Sequence, residues 1–170
     1  TTVAGRWAAE ALDEVDALDL YICVPTMPTF GVTINEHMLH SLSGDVLQVL
    51  DGRPRSVPAW SGTERQELRS GLGAHDFGYL GHPEPLAWKH SMPHLDRATV
   101  RWSWLEPATN DLWRAFAASG MASPEEVPGT GQSPRAFLAR LLDYEQGTRI
   151  PGALPTSRPS GSAWRVVATG

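Results

Sequence analysis

The stretch from Trp88 to Glu106, WKHSMPHLDRATVRWSWLE, decides how this chain reads. From Ala98 to Leu105 apolar and polar side chains alternate, as in a strand with one face toward a core. Ala98, Val100, Trp102 and Trp104 share one face; Thr99, Arg101 and Ser103 share the other. Two inward tryptophans would each bury on the order of 150–250 Å², so this strand is expected at the centre of a sheet. Just ahead of it, His90, His94 and Asp96 form the densest group of potential ligands in the chain.

Working toward the N-terminus, Leu86 to Lys89 reads as a brief strand, and the Gly- and Pro-rich run 71–85 as a loop. Thr63 and Gln66 stand in the capping-box relation, which predicts a two-turn helix ending near Gly71. Pro54 and Pro58 make 51–62 a loop, because each removes an amide donor and restricts the residue before it. DVLQVL (45–50) resembles a short strand. Asn35 is placed as the cap of a helix over 36–43. Leu18 to Val24 and Phe30 to Ile34 both alternate, which predicts an early β-hairpin. Trp7, Ala8, Ala11, Leu12 and Val15 recur at helical spacing over 5–16.

Toward the C-terminus, Thr109 to Gly120 predicts a helix with Leu112, Trp113, Phe116 and Ala117 on its buried face. Ser133 and Pro134 open another, with Phe137, Leu138, Leu141 and Leu142 inward. A Pro/Gly/Ser-rich excursion over 148–162 precedes a final edge strand at 163–168. The expected class is α+β, a single domain over 1–170. It comprises a mostly antiparallel sheet, with the early hairpin and the Trp-rich strand, packed by about four helices. Long loops are expected at 51–62, 71–97 and 148–162, and long loops inside domains often carry function.

With 170 residues and 41% hydrophobic composition, the chain can build one core. A net charge of −5 disfavours general nucleic-acid binding and an anionic membrane surface. Arginines outnumber the single Lys89, and Ala, Gly and Pro are abundant, which fits coding bias in a GC-rich bacterial genome. No apolar run reaches the ~20 residues of a membrane span, and no signal-peptide layout is present, so a soluble, cytoplasmic protein is expected. The chain begins at Thr1, which leaves export after leader removal open. Cys23 is the sole cysteine, so no internal disulfide can form.

Four constellations bear on chemistry. His90-x-x-x-His94-x-Asp96, completed by His37, His40, His75 or Glu84, could hold zinc or iron and activate a water for hydrolysis. The ordinary alternative is a pair of solvated loop histidines, since Pro93 opposes helix and the HExxH pattern is absent. Cys23 could act as a nucleophile beside a base, but its mid-strand setting favours packing. His75, beside Asp76, and His94 are candidate general bases.

Seven tryptophans are many for this length. Five fit core positions by periodicity. Trp60 and Trp88 do not, and with Arg101 they are the binding candidates, set against plain loop-to-core anchoring. The leading expectation is a domain that binds a protein or small ligand through 51–96, with no reaction assigned. The alternative is a metal-dependent hydrolase. Partner identity and oligomeric state are not legible in the residues.

Overall fold

A computed structural model describes residues 2–25, 31–69, 71–148 and 161–170. Along the chain run α1 (Thr2–Ala9), β1 (Ala17–Val24), α2 (Val32–Ser41), β2 (Asp45–Leu50), β3 (Arg53–Pro58) and β4 (Glu64–Leu68). Then come β5 (Gly73–Tyr79), α3 (Glu84–Ser91), β6 (Arg97–Trp104), α4 (Pro107–Ala118), α5 (Pro134–Thr148) and β7 (Ala163–Thr169). The expected α+β class holds: among the described residues, five helices and a seven-stranded, mostly antiparallel sheet share one domain.

β6, the Trp-rich strand, is the hub. It pairs in parallel with β1 over the whole of both strands, from Ala17 opposite Arg97 to Val24 opposite Trp104. Its other edge is shared between β2, which meets it at Val49 and Ala98, and β5, which meets it at Gly78 and Trp102. Between these two neighbours the Gln48 side chain completes the ladder. Its amide accepts from the Val100 N–H at 2.8 Å and donates to the Leu80 carbonyl at 2.8 Å. The sheet path runs β3-β2-β6-β1-β7, with β3 and β7 at its ends.

Both central strands are buried on both faces. On one face Leu18, Leu20 and Ile22 of β1 join Val100, Trp102 and Trp104 of β6 in a core to which all five helices contribute. Trp104 lies against Trp113 of α4 with ring centroids 5.5 Å apart. On the other face the β4–β5 hairpin folds over a smaller core of Tyr21, Cys23, Leu68, Phe77 and Leu105.

Several expectations need correction. The early hairpin does not form, because β1 pairs with β6 and β7, and Val32 opens a helix. Asn35, Met38, Leu39 and Leu42 recur at helical spacing and are buried, and that longer period overrides three alternating residues. Asn35 therefore sits inside α2, donating to the Ala139 carbonyl of α5, rather than capping it. The proposed turn at 26–30 lies outside the described residues. The helix expected over 63–71 is the strand β4, and Thr63 donates to the Trp60 carbonyl to close a turn. The expected brief strand at 86–89 is the helix α3, opened by Pro85 in its first turn.

The expected loop at 51–62 contains β3 despite its prolines. Proline is tolerated in an edge strand where its missing N–H would face outward. Pro54 and Pro58 share a phase with Ser56, so that row points away from β2, and Ser56 holds the one outward amide N–H among the three. The loop over 71–97 likewise resolves into β5, α3 and the start of β6, and most of 148–162 lies outside the described residues. α4, α5 and β7 form where expected, although Leu112, Phe137 and Leu141 are exposed rather than inward. α1 ends at Ala9 instead of reaching residue 16.

Candidate functional site

The alternation that marks β1 and β6 as strands also carries a polar row into the interior. Asp19, Tyr21, Thr99 and Arg101 lie beneath the β4–β5 hairpin. Arg101 is 2% exposed and uses all five guanidinium donors. Nε donates to the Gly62 carbonyl at 2.9 Å, Nη1 to Thr99 and Asp19, and Nη2 to Glu64 at 2.6 Å and the Tyr79 hydroxyl at 3.2 Å. Asp19 also accepts a forked pair from Arg97 and a bond from the Thr99 hydroxyl. Arg101 thus has no donor left for a ligand and ties the hairpin to the sheet.

The histidines are dispersed. His90 is exposed in the last turn of α3, His94 and Asp96 are exposed beyond it, and His37 and His40 are exposed on α2. His94 borders an open hollow of about 580 Å³ beside Glu10, Asp13 and Glu14. His75 donates from Nε2 to the Leu72 carbonyl at 2.9 Å, while Asp76 pairs with Arg65. The His75–Asp76 base-and-orienter arrangement is therefore not made. His82 contacts the buried Glu84 carboxylate. Among the described residues no group of three or more His, Cys, Asp and Glu side chains is placed to hold a metal ion.

Cys23 is fully buried, and burial pushes its thiol from the ordinary 9.0 up to about 12, with the Glu106 charge adding to the effect. Burial, and the hydrogen bond to Glu64, likewise hold the Tyr21 hydroxyl well above its usual value. Both groups bind their protons more tightly in the folded chain than in the unfolded one. Their contribution to stability is intact below about pH 9, the free-thiol range, and is lost as pH rises, through about 12 for Cys23. Native protein at pH 8 should resist iodoacetamide and alkylate rapidly in urea. Equal labelling rates, read by mass spectrometry, would show the thiol to be accessible.

The tryptophans reverse their expected roles. Trp60 is buried and donates to the Leu42 carbonyl at 2.9 Å, with Arg114 stacked 5.0 Å from its ring. Trp88 is 1% exposed and donates to the Thr2 carbonyl at 3.1 Å. Both are anchors. Trp7 and Trp164, which periodicity places in the core, are 78% and 55% exposed. Strand order explains Trp164: it shares the face of Ile22 but stands on β7, the last strand of the sheet path, beyond which no further strand pairs among the described residues.

Trp164 stands on a groove of about 950 Å³, near the upper end of the ~300–1,000 Å³ usual for ligand sites. β7 from Ala163 to Ala168 forms one wall, and Glu67, Leu68, Arg69 and Leu72 form the other. Alternate residues of a strand point to opposite faces, so a groove touching six in succession runs along the strand's edge. Among the described residues that edge of β7 has no strand partner. Arg165 reaches across to donate from Nη1 to the Glu67 carbonyl at 2.9 Å.

Fold and site together define an α+β domain with one edge of its sheet blocked by proline and the other, among the described residues, unpaired beside a groove. No protein-family model matches the chain, and no curated protein matches it. No helix among the described residues is long and apolar enough to cross a membrane.

Proposed function

We propose that this domain binds a partner protein by accepting an extended segment of it as an added strand along β7. The observation that supports this reading is the groove bordered by six consecutive β7 residues, with the exposed Trp164 beside it. In strand addition the main chain supplies affinity and alternate side chains supply specificity. Six residues of edge offer about 20 Å of contact at ~3.3 Å per residue, and Trp is the residue type most enriched at binding hot spots. One wall, Glu67, Leu68, Arg69 and Leu72, belongs to the 51–96 region in which binding is expected from sequence; β7 belongs to a segment that the sequence marks simply as an edge strand.

Panning a library of random 12-residue peptides on the whole chain tests the reading. An enriched family should emerge whose binding is lost with Trp164→Glu, a surface change that leaves thermal unfolding unaltered. Methylating alternate backbone nitrogens of an enriched peptide should also abolish binding. No enriched family, or one indifferent to both changes, would sink the proposal.

A further inference from the structure

We infer that the segment accepted along β7 is an acidic strand, with a carboxylate opposite Arg165 and apolar side chains around it. This rests on the strand-addition reading above and specifies its partner.

β7 presents two chemically different rows to anything laid beside it. Its register against β1 puts Arg165 on the same face as Tyr21, beneath the β4–β5 hairpin, and Trp164 and Val166 on the same face as Ile22 and Leu20. An added strand alternates in the same way. One side chain of the added strand therefore meets Arg165, with Arg69 on the opposite wall; its neighbours in that row meet Ala163 and Val167, and the row between meets Trp164 and Val166.

The charge of the groove opposes that of the chain. The protein carries a net charge of −5, yet the groove's charged side chains are Arg69 and Arg165 against Glu67 alone. Among the described residues neither arginine forms an ion pair with a carboxylate, whereas Arg65, Arg97, Arg101 and Arg114 all do. Arg165 is held across the groove by one bond to a neutral carbonyl, that of Glu67. A strand entering between the walls displaces that bond. A carboxylate on the strand replaces it with a charge-assisted, two-pronged contact, roughly twice as strong per bond as a neutral one. A lysine brought to the same place breaks the bond and meets two positive charges.

The peptide selection separates this inference from the one beneath it. Enriched sequences should carry Asp or Glu at a fixed position among apolar residues. Changing the acidic positions of one such synthetic peptide to Gln or Asn should weaken binding about tenfold or more. Arg165→Gln and Arg69→Gln should each weaken the acidic peptide and leave its amide counterpart almost unchanged, and raising salt should weaken the acidic peptide selectively. If enriched peptides depend on Trp164 and on free backbone amides but are neutral or basic, strand addition stands and the acidic partner is wrong. If no peptide is enriched, both fail. Sedimentation of the protein alone gives a further check: a dimer abolished by Trp164→Glu would assign the edge to a second copy of the chain and overturn the acidic-strand inference.

Discussion

Replacing Arg101 with leucine should cost this domain about 3 kcal/mol or more, the lower end of the ~3–5 kcal/mol seen when one partner of a buried ion pair is removed. The magnitude follows from what is stranded. Asp19 is 6% exposed and keeps Arg97 and Thr99, so its charge is still partly answered. The Gly62 carbonyl and the Tyr79 hydroxyl both lose their guanidinium donor. Glu64 is 42% exposed and can turn to water, so it adds little.

Arg101→Lys should not rescue the loss, because an ammonium offers three donors where five acceptors converge, and lacks the planar fork. Replacing Asp19 and Arg101 together with Leu and Met should cost less than the sum of the single changes, since no lone charge is left inside. Urea unfolding measures all of these. A change under about 1 kcal/mol for Arg101→Leu, the size of an exposed pair, would mean that water reaches the cluster.

Trp88→Ala should cost about 3–5 kcal/mol, as buried Trp truncations usually do. The loss should also spread to α1. Gly5 of α1 lies directly on the indole: a Cβ at that position would stand 2.3 Å from Cζ2. The indole N–H also holds the Thr2 carbonyl. Without Trp88 the helix loses its seat on α3, and its amides should exchange with solvent before the rest of the domain unfolds. Gly5→Ala sets two effects against each other. Alanine favours helix by about 1 kcal/mol over glycine, but its methyl cannot fit beside the ring without moving it. Overlap at that distance outweighs the propensity gain, so the variant should be destabilised. A stabilised Gly5→Ala protein would show that α1 does not dock on Trp88.

What could be read from residues alone depended on whether a segment's neighbours were nearby in the chain. β6, α4 and α5 were legible because each carries its own period and its own boundary residues. β4 was not, because Glu64-Arg-Gln-Glu-Leu68 contains one apolar residue and contacts the sheet through Glu64 and Leu68. Its strand identity comes from β5, which begins five residues on at Gly73 and pairs with it from Leu68 to Glu64. β3 was hidden by prolines that are acceptable at an edge and nowhere else in a sheet. The site was the least legible part. Whether Trp164 or Trp88 ends on the surface depends on which strand is last in the order, a fact set by pairings between distant segments. The histidines drew attention because His90 and His94 lie close in sequence, and the fold leaves both exposed without bringing the others to them.

The pairing of β1 with β6 also bears on how the chain is made. Asp19 and Thr99, partners across that pair, are separated by 80 residues. At ribosomal rates of about 5–20 residues per second, β1 waits roughly 4–16 s after its own synthesis before the strand that completes it has been translated. Throughout that interval an apolar run, Leu18 to Val24, has neither of its final neighbours, since β7 follows later still. The nascent chain therefore carries β1 without its central partner while those 80 residues are made. Slower codons placed after residue 104 would protect it less than early capture by a chaperone.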